Sequence, residues 1–176
     1  MLFAGCSKTP SAADWGAHGL VAMGSGANSI VLWQPQDSNV VPTALQGHTA
    51  RVNAVRWSNP SVLVSGSADH SVGVWLRADG DTAPSHTCSQ LLKGHTGSVE
   101  AVTALSSGSS LLIASAGADG TVRIWEGEPG DVEHVQTISF GNKYPLSVAL
   151  CPLFETSRKE MTRSKNPLFS LHFFLQ

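Results

Sequence analysis

Charge is scarce in this 176-residue chain: Lys and Arg number 11, Asp and Glu 13, and the four types make up 14% of the residues. An average globular domain holds about 25%. Segments that stay disordered in water combine high net charge with low hydrophobicity, and a formal charge of −2 beside 41% hydrophobic residues excludes that class. The same balance argues against a nucleic-acid binder working by bulk electrostatics, which needs a clustered basic face. Cysteine is scarce as well. Cys6, Cys88 and Cys151 stand far apart with no Cys-x-x-Cys pair, so neither a disulfide framework nor a zinc ribbon is indicated. A reducing compartment, the cytoplasm with the nucleus as a second address, is the expected location. Long apolar runs are missing too. The best candidate, Pro167 to Leu175, is about half of the ~20 residues that cross a bilayer. The start, Met1 to Cys6, has neither the positive segment nor the apolar core of a secretory leader. The expectation is a soluble chain without membrane contact.

Against these absences stand 17 glycines, 9 prolines, and runs of Ser, Thr and Val beside short apolar stretches. That pattern predicts an all-β chain of short strands and tight turns, and no amphipathic helical period precedes residue 150. Charge is unevenly spread: residues 1–150 hold 7 basic and 11 acidic side chains, whereas 151–176 hold 4 and 2. The last stretch reads as a different kind of segment.

An internal repeat organises the rest. Gly47-His48-Thr49-Ala50-Arg51-Val52 recurs 47 positions later as Gly94-His95-Thr96-Gly97-Ser98-Val99. Behind each lies a second matching block, Val64-Ser65-Gly66-Ser67-Ala68-Asp69 with Val72-Gly73-Val74-Trp75, and Ala114-Ser115-Ala116-Gly117-Ala118-Asp119 with Val122-Arg123-Ile124-Trp125. In both copies Asp precedes Trp by six positions and Ser precedes it by ten. A degraded copy comes first, ending at Trp33, with Met23 for the Ser, Ala27 for the Asp and no Gly-His before it. Strands are expected at Val52 to Trp57, Val62 to Ser65, around Trp75, and at Gln90 to Leu92. The third copy repeats them at Val99 to Leu105, Leu111 to Ser115, around Trp125, and at His134 to Ile138. Each repeat is therefore four antiparallel strands joined by hairpin turns. One such sheet cannot bury both faces alone, so copies must stack and share their apolar side chains.

The repeated polar residues are suited to a buried relay. Asp69 or Asp119 in the tight turn can accept a ring N–H from His48 or His95. The other ring nitrogen can accept the hydroxyl of Ser65 or Ser115, whose oxygen can accept the indole N–H of Trp75 or Trp125. Ser, His and Asp are also the residue types of a hydrolase triad. No Gly-x-Ser-x-Gly elbow is present, however, and the set recurs with a Trp at fixed spacing, so a structural clamp is the better reading and no catalytic residue is expected. The seven His show no spacing of a metal-binding helix, so no metal is expected. Gly24-Ser25-Gly26 and Gly117-Ala118-Asp119-Gly120 lack a following helix or Lys-Ser/Thr, and read as turns rather than phosphate cradles.

Gly-His followed by Ser-x-x-x-Asp and a strand ending in Trp resembles the WD-repeat β-propeller family. The residues after the three Trp are Gln34, Leu76 and Glu126, so no copy carries Trp-Asp itself. A closer likeness, to the family of Elongator second subunits, is carried by Leu45 to Asn53 and Val135 to Asn142. Ala4 to Lys8, Asp14-Trp15-Gly16 and Gly19-Leu20-Val21 add to it, and it runs to about Leu150. The resemblance implies a WD40-type β-propeller that is incomplete, with about three four-stranded blades at 16–46, 47–93 and 94–140, the start of another at 141–150, and an irregular, unrelated tail at 151–176. Open flanks on such a truncated arc would make the isolated chain poorly soluble or chaperone-bound.

The resemblance further implies a non-catalytic scaffold without cofactor, in a complex that modifies the wobble uridine of transfer RNA. Partners would be the largest Elongator subunit and the catalytic subunit, with transfer RNA met at most indirectly. A general WD-repeat adaptor for another protein or peptide is the alternative, resting on fold alone. Arg51, Arg56 and Arg123 are candidate contacts to acidic partner groups. The tail residues Arg158, Lys159, Arg163 and Lys165 form a loose basic cluster without interleaved aromatics, and read as solvated.

Overall fold

The computed structural model describes residues 9–17, 19–37, 39–77 and 85–152, and the strand backbone of 169–175. Three four-stranded antiparallel sheets follow one another along the chain, each with its strands in sequential order. Sheet one holds β1 (Pro10–Trp15), β2 (Val21–Ser25), β3 (Ser29–Trp33) and β4 (Thr43–Gln46). Sheet two holds β5 (Val52–Asn59), β6 (Val62–Ser67), β7 (Ser71–Arg77) and β8 (His86–Lys93), and sheet three β9 (Val99–Ser107), β10 (Ser110–Gly117), β11 (Thr121–Glu128) and β12 (Asp131–Ser139). A two-stranded sheet of β13 (Pro145–Pro152) and β14 (Phe169–Leu175) completes the order. Among the described residues there is no helix.

The strands form where β-branched residues alternate between two faces, and both faces of the central strands are covered. Every residue of β6 is buried, as are the first five of β7, because the sheets lean on each other. One core lies between sheets one and two, where Ile30, Leu32 and Leu45 meet Val52, Val55, Leu63 and Trp75. A second joins Val62, Val64, Val72 and Val74 of sheet two to Val99, Val102, Ile113 and Trp125 of sheet three. A third sets Ala114, Ala116 and Val122 against Val148 of β13. Burying each Val, Leu or Ile contributes about 1.5–3 kcal/mol, and this gain accrues only when neighbours stack.

Close approach is aided by glycine at two equivalent seams. A methyl at Gly24 would meet the Val52 carbonyl oxygen at 2.8 Å, and one at Gly66 would meet Val99 Cγ1 at 2.7 Å. The hairpin after the second strand needs left-handed backbone at one fixed place: Asn28 (φ 63°), His70 (φ 70°) and Gly120 (φ 76°) occupy it in sheets one, two and three.

Two expectations differ from what is observed. Sheet one begins at Pro10, not 16, because Pro10–Trp15 pairs with β2 although no Gly-His marks its entry. The expected irregular tail is regular at its far end, where Phe169–Leu175 pairs with β13. The alternation of Phe169, Leu171 and Phe173 with Ser170 and His172 suits a strand, although it belongs to no repeat. Residues 153–168 of that tail lie outside the described residues.

Candidate functional site

Each Gly-His lies in the loop between the last strand of one sheet and the first of the next, beside the hairpin that carries the Asp. In sheet two, His48 Nδ1 lies 2.8 Å from Asp69 Oδ2, and His48 Nε2 lies 2.8 Å from Ser65 Oγ. Trp75 Nε1 donates to the same Ser65 Oγ at 2.8 Å. In sheet three, the matching distances among His95, Asp119, Ser115 and Trp125 are 2.9, 2.8 and 2.9 Å. All eight residues singled out by the repeat thus meet in two sets of four.

Two further members carry no Trp or Gly-His signature. Ser71 Oγ donates to Asp69 Oδ1 at 2.6 Å and lies 3.2 Å from His48 Nδ1. Thr121 Oγ1 does the same for Asp119 at 2.7 Å and His95 at 3.3 Å. Each carboxylate also accepts backbone N–H groups, Thr49 and Ser71 on Asp69, Thr96 and Thr121 on Asp119. The signal for the extra hydroxyl was present in sequence as Asp-x-Ser and Asp-x-Thr at matching places.

These bonds decide the protonation states. Burial, the largest influence on Asp69, pushes its pKa upward. It is outweighed by the Ser71 hydroxyl, the Thr49 amide and His48, which bring the pKa from 3.8 to about 2. Asp119 behaves alike, also at about 2: burial raises it, and Thr121, Thr96 and His95 outweigh that. Both His rings are held below their ordinary value of 6.5, by burial first, against the upward pull of their Asp. For His95 the neighbouring Arg123 adds to the lowering. A neutral ring is also what the hydrogen-bond order requires. With Nδ1–H given to the carboxylate, Nε2 accepts the Ser hydroxyl, and the Ser oxygen accepts the indole N–H. Protonating Nε2 would turn it into a donor and leave the Ser hydroxyl proton without an acceptor.

The relay has no opening to solvent at its centre. Ser65 and Ser115 are 0% exposed, and Trp75 and Trp125 1% and 2%. A Ser held between an indole donor and an imidazole under such cover has no space for a substrate carbonyl beside it. Sheet one shows what replaces the relay. Met23, in the Ser position, packs with Val21, Val31 and Trp33, an apolar cluster in place of the polar one.

The three candidate arginines are placed differently. Arg51 is exposed in the loop after His48. Arg56 Nη1 donates to Asp14 Oδ1 at 3.2 Å across the seam of sheets one and two. Arg123 lies over the loop glycine, since a methyl at Gly94 would meet its Nη1 at 2.8 Å, and its buried Nε has no hydrogen-bond partner among the described residues. No group of three His, Cys, Asp or Glu able to hold a metal occurs among the described residues.

Residues 39–75 and 86–126 match the family described as WD domain, G-beta repeat. Elongator complex protein 2 of Danio rerio is 39% identical over 154 residues, covering 84% of this chain and 18% of the relative. The Mus musculus protein of that name is 40% identical over 161 residues, covering 84% and 19%, and the Homo sapiens protein 40% over 152 residues, covering 77% and 17%. The chain thus spans less than a fifth of the length of these curated relatives. The repeat that closes each relay is the one the family model recognises, and the chain, like the three forms of Elongator complex protein 2 it resembles, belongs to the WD-repeat β-propeller family.

Proposed function

We propose that the chain serves as a non-catalytic WD-repeat scaffold in an Elongator assembly. It would support wobble-uridine modification of transfer RNA through protein–protein contacts with the largest subunit and the catalytic subunit. The observation that carries this reading is the 39–40% identity to Elongator complex protein 2 over 84% of the chain in two of those relatives. The absence of catalysis is supported by the closure of the relay, whose Ser, His and Asp satisfy one another instead of facing a cavity. A net charge of −2 supports indirect rather than direct contact with transfer RNA. Of the three arginines, Arg51 and Arg56 are exposed toward an acidic partner group, Arg56 while also holding Asp14, and the cytoplasm and nucleus are the compartments this role would require.

Affinity purification of the full-length gene product tests the reading. Recovery of the largest Elongator subunit is the expected result. A stable set of partners lacking that subunit would overturn it in favour of a general WD-repeat adaptor.

A further inference from the structure

The sheet of β13 and β14 differs from its predecessors in where its second strand comes from. In sheets two and three the second strand follows the first across residues 60–61 and 108–109. It then leads through the Asp-bearing hairpin into the Trp-bearing strand. β14 instead lies beyond residues 153–168, in a stretch with no Gly-His, Asp or Trp at repeat spacing. It nevertheless pairs antiparallel along β13, as β6 does with β5 and β10 with β9.

β13 stands where a first strand stands. Val148 is buried against Ala114, Ala116 and Val122 of sheet three, with Leu150 packed on the same cluster, just as Val99 and Val102 of β9 pack against sheet two. The register sets Phe173 opposite Val148 and Leu171 opposite Leu150, whereas Ser170 and His172 fall opposite Cys151 and Ala149. Apolar residues therefore recur at the register positions of the two β13 residues that cover sheet three. A slip of one residue in either direction would set His172 opposite one of the two, and in one direction would set Ser170 opposite the other.

We infer that residues 169–175 are a built-in substitute for the second strand of a fourth blade. They occupy the edge of β13 and withhold it from any strand of another chain. An uncovered edge presents unpaired N–H and C=O groups, which recruit foreign strands. Pairing within the chain covers that edge of β13, and β14 becomes the outer strand of the two-stranded sheet.

The test uses the full chain with Cys6→Ala and Cys88→Ala, so that Cys151 is the remaining thiol. Ser170→Cys places a second thiol directly opposite it, and His172→Cys places one opposite Ala149 instead. Opposed residues of an antiparallel pair lie within disulfide reach. Mild oxidation should form the intramolecular 151–170 disulfide several-fold faster than the 151–172 one. Equal rates, or disulfides between chains only, would overturn the inference. Hydrogen exchange supplies a second reading: Leu171→Pro should abolish the slow exchange of amides in 147–151 while sheets two and three keep theirs. Unchanged exchange at 147–151 would equally overturn it. Should Leu171→Pro unfold the whole chain, the comparison of the two disulfides decides alone.

Discussion

Asp14 of sheet one accepts the backbone N–H of Trp57 in sheet two at 2.7 Å, while its other oxygen receives Arg56 Nη1 at 3.2 Å. One carboxylate thus fastens two sheets through a main-chain donor and an exposed cation, and the two bonds are unequal. Arg56 is 51% exposed and Asp14 19%, so the ion pair contributes under about 1 kcal/mol. Losing the acceptor of a part-buried amide costs about 1–3 kcal/mol. Asp14→Ala should therefore lower the urea midpoint clearly more than Arg56→Ala. Equal shifts would show that the ion pair, not the amide bond, is what matters.

Ser65→Ala and Ser115→Ala should each cost about 1–3 kcal/mol, because each leaves a buried indole N–H without its acceptor and a ring nitrogen without its donor. Chemical denaturation with an unchanged dependence on denaturant is the check. A loss below about 0.5 kcal/mol in both, the range of ordinary surface substitutions, would refute a clamping role.

Acid should weaken the fold in two stages. His48 and His95 bind protons less readily in the folded chain than at the ordinary value of 6.5. The unfolded chain therefore takes up protons that the folded one refuses. Their contribution is complete above about pH 6.5 and is lost as the pH falls below it. Asp69 and Asp119, at about 2 against an ordinary 3.8, lose their contribution between those two values. Thermal midpoints measured from pH 7.5 downward should decline through the first window and more steeply in the second. A midpoint that rises between pH 7 and 5.5 would mean the rings are already protonated in the fold.

Gly66→Ala should destabilise by about 1–3 kcal/mol through overpacking, since the new methyl would meet Val99 Cγ1 and Val102 Cγ1 at 2.7 and 3.0 Å. Gly24→Ala should do the same against the main chain at Val52. Thermal melts of both variants decide it, and unchanged midpoints would show that the sheets can part without cost.

The relay was legible in the sequence because its members keep fixed offsets in two copies, so chemistry and spacing pointed to the same eight residues. The hairpin turn was half legible. Gly120 signals left-handed backbone by its identity, whereas His70 occupies the same place with a residue type that signals it only weakly. The bonds between sheets were not legible at all. Gln90 donates to the Val132 carbonyl at 2.9 Å and accepts the Val132 N–H at 3.0 Å, and Asn53 donates to Ser98 Oγ at 2.9 Å and to the Val99 carbonyl. They join residues more than forty positions apart, and where one recurs the residue type changes: Ser11 Oγ donates to the Val52 carbonyl at the place where Asn53 meets Val99. β14 escaped for a related reason. A strand that belongs to no repeat can be recognised only through the neighbour whose edge it needs.

Because the three cores between sheets are each shared by two neighbours, no sheet is an independent cooperative unit, and free energy is held largely in the contacts between nearest neighbours. Loosening sheet one strips Val52, Val55, Leu63 and Trp75 of sheet two of their cover. Loosening sheet three strips Val62, Val64, Val72 and Val74 on its other side. Protection against exchange should then form a gradient along the array, highest in β6 and β7, which have neighbours on both flanks. Opening should begin at the outer members and travel inward one sheet at a time.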